Sequence, residues 1–306
     1  MNHARVLLQI WLSALVILAG CSGGGNAGQD DVSLPDAWAS DISDAGGDTD
    51  TRDIAADTST VCGEACGEMV LIPAATFLMG CNESADDECF GNEKPAHMVT
   101  VPDFKIDLTE VTVQAYGLCV DAGVCTAPIR SGVCNWGEAG RTDHPINCVS
   151  WYEARQYCAW AGRRLCSEAE WEKASRGTDG RIFPWGNQQP DCDLAVMNTN
   201  SGTGCGEDTT WPVGSLPEGA SPYGILDMAG NVWEWIEDDA HDDYDNAPDD
   251  GSAWVDEPRG TERIQKGGGF NDWGTRMYCM RASARSTEKP DDSHETYDYI
   301  GIRCCK

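Results

Sequence analysis

Sixteen cysteines in a chain of 306 residues, set behind an N-terminus that reads as an export signal, constrain the fold more than any other feature. Thiols in oxidising compartments pair, so a chain of this kind is expected to fold around disulfides. With Cys21 set aside, fifteen cysteines remain, an odd number that leaves room for a free thiol or an intermolecular bridge. Close neighbours read as local loop staples: Cys62/Cys66, Cys81/Cys89, Cys119/Cys125, Cys134/Cys148 and Cys192/Cys205. Spacing alone does not prove connectivity. Cys62 and Cys66 are read as a staple and not as zinc ligands, because no second pair or histidine follows at ligand spacing.

The export signal begins with His3 and Arg5, continues as an apolar run from Val6 to Ala19 interrupted by Gln9 and Ser13, and ends in Leu18-Ala-Gly-Cys21. The run is shorter than the roughly 20 apolar residues a membrane span needs, so residues 1–20 read as a signal peptide. Cysteine directly after Leu-Ala-Gly resembles a lipobox. That resemblance makes Cys21 the lipidated first residue of an exported lipoprotein, held to a membrane of the cell envelope. Residues 21–61 read as an acidic tether: positions 22–60 carry nine aspartates among Gly, Ala, Ser and Thr, and Arg52 is the only base. Such a stretch has too little apolar surface to offset its ordering entropy, and like charges keep it extended. The formal net charge of −30 repels nucleic acid and anionic headgroups, and favours calcium or basic peptides as partners.

Residues 62–306 read as one domain of α+β class. Met69-Val-Leu-Ile72 and Thr76-Phe-Leu-Met79 flank Pro73 and predict two strands joined by a turn, and His97 to Val101 alternates as a third. Ser150-Trp-Tyr-Glu153 and Ser167-Glu-Ala-Glu170 match the capping box, in which the hydroxyl caps a free amide and the glutamate reaches back. They predict helices that stop at Gly162 and Gly177, and a third helix is predicted over Val113 to Val120. The rest is rich in Gly, Pro, Trp and Asn. The tryptophans are assigned to packing, because a loop-built fold needs large apolar side chains to bury area.

Seven motifs stand in order: Met69-Val-Leu-Ile-Pro-Ala-Ala-Thr-Phe-Leu-Met-Gly80, Glu110-Val-Thr112, Val149-Ser-Trp151, Arg163-Arg-Leu-Cys-Ser-Glu-Ala-Glu-Trp-Glu172, Phe183-Pro-Trp-Gly-Asn187, Asp227-Met-Ala-Gly-Asn-Val-Trp-Glu-Trp235 and Lys266-Gly-Gly-Gly-Phe270. Gly301-Ile-Arg-Cys304 closes the series. Together they resemble the formylglycine-generating enzyme (sulfatase-modifying factor) family across nearly everything from residue 69 to 304. The resemblance implies a C-type-lectin-like α+β fold, loop-rich and disulfide-stapled, with helices against small sheets.

It also implies a chemistry from which this chain departs. The family's enzymes use two cysteines five residues apart to bind copper(I) and oxidise a substrate cysteine, which requires paired thiolates as soft ligands. Aligned on that pattern without gaps, this chain has Asp272 and Met277 at the two positions. A carboxylate and a thioether do not replace two thiolates, so copper is not expected. Cys279 lies two residues further on, almost 7 Å along an extended strand, and is expected to be a disulfide partner. A branch of the family with iron chemistry uses histidines; here His97, His144, His241 and His294 stand at no such spacing and read as surface residues.

Calcium does carry over. The resemblance places a structural calcium ion on Asp227 and Glu234 side chains and the carbonyls of Gly230 and Val232, and the hard oxygens of two carboxylates with a glycine bend between them suit that ion. The resemblance also implies a second calcium site near Ala195-Val-Met197, where Val196 stands in place of the family's liganding amide and Asn198, Glu207 and Asp208 are close in sequence. The family's helix-to-C-terminus disulfide maps onto Cys158 and Cys304, leaving Cys166, Cys279 and Cys305 to share one bridge and one free thiol. The functional expectation is a tethered, non-catalytic domain whose former active-site groove, with Asp272, Trp273, Arg276, Met277 and Cys279, binds a peptide, glycan or protein. The alternative is a copper-dependent oxidoreductase acting on cysteine in exported proteins.

Overall fold

The computed structural model describes residues 62–129, 134–272, 279–291 and 297–306. Cys21, Trp273, Arg276, Met277 and His294 lie outside the described residues. In the first sheet, β1 (Met69–Ile72) runs antiparallel to β4 (Phe104–Asp107), which is followed by β10 (Cys304–Cys305) and β5 (Arg164–Leu165). A second sheet pairs β2 (Ala75–Met79) with β3 (His97–Val101). The third has the order β8 (Ser286–Glu288), β7 (Arg263–Lys266), β6 (Trp233–Asp239) and β9 (Ile300–Gly301), with β6 and β9 parallel.

The two strands flanking Pro73 exist but do not pair with each other, which corrects the expected strand-turn-strand unit. Two-residue hairpin turns need positive φ, and Pro73-Ala74 does not supply it. Instead the Pro73 carbonyl accepts from the buried Lys173 ammonium at 2.6 Å, and the chain crosses from one sheet to the next.

Three helices position the site. In α1 (Val113–Asp121) the Thr112 hydroxyl caps the Ala115 amide, and both expected capping boxes are formed, at Ser150/Glu153 for α2 (Trp151–Trp160) and at Ser167/Glu170 for α3 (Glu168–Arg176). Every residue of α3 is buried. Its charges are satisfied within the helix and by neighbouring elements: Glu172 accepts from Arg176 one turn on (3.0 Å), from the Gly80 amide (2.8 Å) and from Lys266 (3.2 Å). The core holds Trp151, Trp171 and Trp235 at under 2 % exposure. Each indole N–H has an acceptor: Trp151 donates to the Ile236 carbonyl and Trp235 to that of Val149.

Five bridges are local, joining Cys62–Cys66, Cys81–Cys89, Cys119–Cys125, Cys134–Cys148 and Cys192–Cys205. Two are long-range. Cys158 in α2 is bonded to Cys304, and Cys166 just before α3 to Cys305, so adjacent cysteines of β10 tie the last strand to two helices. No described cysteine is a free thiol, which corrects the expectation of one left over, and Cys279 is fully buried. His144 is also buried, its Nδ1 2.9 Å from the Thr210 hydroxyl, because its ring closes a polar loop and does not face water as expected. No helix among the described residues is long and apolar enough to cross a membrane, and bridges in this number belong to an oxidising compartment.

Candidate functional site

The loop leading into β6 is built from backbone that favours few residue types. Asp227 (φ 58°), Gly230 (φ 81°) and Asn231 (φ 64°) are all left-handed. A Cβ on Gly230 would lie 2.5 Å from the Val196 carbonyl oxygen, so that position admits glycine alone. Asn231 joins several strands of the loop: its amide donates to Glu110 (2.8 Å) and to the Trp211 carbonyl (3.3 Å), while its oxygen accepts from the Trp211 amide (2.9 Å). The Gly230 amide donates to the Gly267 carbonyl and Phe270 donates back to Asn231, so the glycine-rich segment 266–270 is clasped against this loop.

Behind the loop the structure collects carboxylates. Glu234 accepts two hydrogen bonds from Arg303 Nε (2.9 Å each), one from Arg303 Nη2 (2.8 Å) and one from the Trp171 indole (2.6 Å). Asp227 accepts the Gly214 amide at 2.6 Å. Burial pushes the Asp227 carboxyl up to about 6, with the nearby Glu234 charge adding to it and Arg303 opposing. Glu110, buried beside them, is held well above the usual carboxylate range by desolvation and then by the charges of Asp227 and Glu234. Of the three carboxylates Glu234 alone bonds to the Arg303 guanidinium, whose charge also acts on Asp227 and Glu110. That surplus of negative charge fits a divalent cation, and the donor set of carboxylates and carbonyls is the hard-oxygen set calcium takes. Glu234 itself is paired with Arg303 and Trp171, so the excess falls on Asp227 and Glu110, whose raised carboxyls carry part of it as bound protons.

On the outer side of the same loop lies Asp272. Its Oδ2 accepts both the Trp233 indole N–H and the Gly269 amide, each at 2.8 Å. Its carbonyl accepts the Asn198 amide at 3.0 Å. Next to it opens a small polar cavity of about 210 Å³, lined by Asn135, Arg141, Asn147, Asp208, Asn271 and Asp298 among others. The walls are cross-braced: Asn135 donates to the Thr210 hydroxyl (2.9 Å) and the Pro145 carbonyl (2.8 Å), and Arg141 donates to the Asn135 oxygen (3.0 Å). Cys134–Cys148 brackets the loop that carries Asn135 and Asn147. Burial pushes the Asp298 carboxyl up to about 6. The cavity is preorganised for a polar ligand, and among the described residues its lining contains no thiol.

The sequence motifs placed the Asp227–Trp235 loop and Asp272 but not this cavity. Asn135 and Asn147 come from one loop and Asp298 from a distant segment, with no shared pattern, and the one available signal was the Cys134/Cys148 staple. Arg303 and Glu110 were visible inside the Gly-Ile-Arg-Cys and Glu-Val-Thr motifs without any sign of what they pair with.

Residues 55–306 match the sulfatase-modifying factor enzyme 1-like domain (FGE-sulfatase). The chain belongs to that family. It is 30 % identical over 287 residues to the formylglycine-generating enzyme of Bos taurus, covering 78 % of this chain and 74 % of that one, and 33 % identical over 288 residues to the formylglycine-generating enzyme of Thermomonospora curvata, covering 77 % and 92 %. Similarity to the hercynine oxygenase of Mycolicibacterium smegmatis is 34 % over 198 residues, spanning 45 % of that protein. Among solved structures, PvdO from Pseudomonas aeruginosa superposes with a TM-score of 0.67 at 30 % identity, covering 79 % of this chain and 95 % of that one. The fold is the family's C-type-lectin-like one, and family members include oxidoreductases.

Proposed function

We propose that this protein is a non-catalytic member of the family, a lipoprotein anchored through Cys21, whose domain binds a peptide, glycan or protein ligand in the cavity beside Asp272. One observation carries the reading: at the first position where the family's enzymes keep a reactive cysteine, this chain has a carboxylate whose Oδ2 is committed to Trp233 and Gly269. A group fixed by two donors is a structural acceptor, and a carboxylate does not hold copper(I) as a thiolate does. Calcium belongs to the same proposal, held by the Asp227 side chain and the Gly230 and Val232 carbonyls, with Glu234 joining them by giving up part of its bonding to Arg303 and Trp171; there it would neutralise the surplus charge and stiffen the loop under Trp233.

The names of the related enzymes support a second reading, a copper-dependent oxidoreductase acting on cysteine in exported proteins. The two readings separate in one experiment. The oxidised full chain is titrated with copper(I) against a chromogenic chelator, and then incubated with a cysteine-containing peptide and oxygen. Absence of stoichiometric copper and of peptide oxidation is expected, together with retained binding on a glycan and peptide array that Asn135→Ala weakens. Stoichiometric copper uptake with aldehyde formation on the peptide would sink the non-catalytic reading.

A further inference from the structure

Lys105 in β4 and Lys306, next after β10, face each other directly across the first sheet, exchanging both backbone hydrogen bonds (2.9 and 2.8 Å). Residues so paired present their side chains on one face, and like charges placed opposite each other repel. Both lysines are exposed, and among the described residues neither is in an ion pair, whereas Lys94 and Lys266 are. The next residue in the row, Leu71 of β1, is in register with Lys105 and 57 % exposed. This row borders an open groove of about 710 Å³ lined by Gly63, Glu68, Met69, Lys105, Arg163 and Lys306. In a chain of net charge −30, a groove with two unpartnered ammonium groups beside an exposed leucine calls for an acidic occupant carrying some apolar surface.

We propose that this groove docks the chain's own acidic N-terminal segment, residues 22–60. Three features select that occupant. Its charge is complementary, with nine aspartates against one arginine. Its attachment point is at the groove, since Gly63 is both a lining residue and the second described residue of the domain. Its nearest stretch, Asp53-Ile-Ala-Ala-Asp57, offers an isoleucine between two carboxylates, matching the row of Leu71, Lys105 and Lys306. An extended chain spans about 3.3–3.6 Å per residue, so Asp57 reaches about 18 Å from Cys62 and Asp53 about 32 Å. A segment tethered this closely acts at an effective concentration on the order of millimolar, so individually weak ion pairs suffice. Docking folds the segment back on the sheet at low ionic strength and shortens the distance the domain extends from the point where its N-terminus is held. Salt or a divalent cation that masks the aspartates releases it.

The test uses the full-length chain and zero-length carbodiimide coupling of carboxylates to amines, read by peptide mass mapping. Lys105 and Lys306 are expected to couple to aspartates of residues 22–60, above all Asp53 and Asp57, in preference to Lys94 and Lys289. The coupling is expected to fall about fivefold in roughly 0.5 M salt, where the Debye length is about 4 Å. In parallel, trypsin cleavage after Arg52 is expected to be several-fold faster in the Lys105→Glu/Lys306→Glu variant than in the parent, with the domain's melting unchanged. Coupling spread evenly over all lysines, or equal cleavage rates in parent and variant, overturns the proposal. Binding of the full chain to vesicles containing about 30 % anionic lipid, lost in the double variant and unaccompanied by any intramolecular coupling, also overturns it by assigning the groove to headgroups.

Discussion

The carboxylate of Asp272 accepts the indole N–H of Trp233 at 2.8 Å, joining the segment after the glycines to the start of β6. Because the same oxygen also accepts the Gly269 amide, removing it leaves two donors with no protein partner. Asp272→Ala is expected to lower unfolding free energy by about 1–3 kcal/mol, the cost of unsatisfied polar groups in a partly buried site. Asp272→Asn, which keeps an acceptor, is expected to lose less. Denaturant midpoints measure both, and a wild-type midpoint for the alanine variant would remove the structural role assigned to this residue.

The two bridges to β10 close loops very different from the staples. Cys158–Cys304 spans 146 residues and Cys166–Cys305 spans 139, against 6 for Cys119–Cys125. In the chain-entropy account, longer loops confer more stability, about 4–5 kcal/mol for loops of this length, although native strain modulates it. Replacing Cys158 and Cys304 together by serine is expected to abolish or sharply reduce folded yield, while the Cys119/Cys125 double replacement leaves a folded protein with a modestly lower melting temperature. Non-reducing peptide mapping checks the pairing first.

How much of this was legible in the sequence depended on whether the signal was local. Both capping boxes were readable because Ser150 and Ser167 meet their partners three residues away. The short staples were readable for the same reason. The fold followed from ordered motifs, since the residues that make them specific are clasps: Asn231 to Glu110 and Trp211, and Glu234 to Arg303. What was not readable is which element each motif meets. The polar sequence of α3 gives no hint that the helix is wholly buried, because its counter-charges, Lys266 in β7 and Arg285 just before β8, arrive from about a hundred residues away. The cavity beside Asp272 was hidden for the same reason.

Asp238 provides a pH dependence. It is buried, its two oxygens accepting the Glu168 amide (2.9 Å) and the Trp254 amide (2.8 Å). Desolvation pushes its carboxyl up to about 8, with Glu168 adding to the effect and the two amides and Arg285 opposing. The native state therefore holds a proton that the unfolded chain releases near pH 4. Where the folded protein binds more protons, stability falls as pH rises, here between about pH 4 and 8, at up to about 1.4 kcal/mol per pH unit for one group. Asp238→Asn is expected to flatten that slope while lowering stability at acidic pH by the loss of one acceptor. Melting temperatures from pH 5 to 8.5 decide it, and parallel curves for parent and variant would exclude Asp238 as the source.

Arg303 decides the calcium question. It is fully buried and bonded to Glu234, and its charge also acts on Glu110 and Asp227. Breaking a buried pair by removing one partner costs about 3–5 kcal/mol, because the remaining charge is left uncompensated. Arg303→Ala is therefore expected to destabilise by that amount in chelator. A cation bound by the Asp227 loop would partly replace the lost charge. Ligand that binds only the folded state stabilises it by about 2.7 kcal/mol at a hundred times its dissociation constant. Excess calcium is thus expected to raise the melting temperature of the Arg303→Ala chain more than that of the parent, and Asp227→Ala to remove the response in both. If neither chain responds to calcium, the loop is an ion-pair clasp alone and the surplus charge on Asp227 and Glu110 is carried as bound protons.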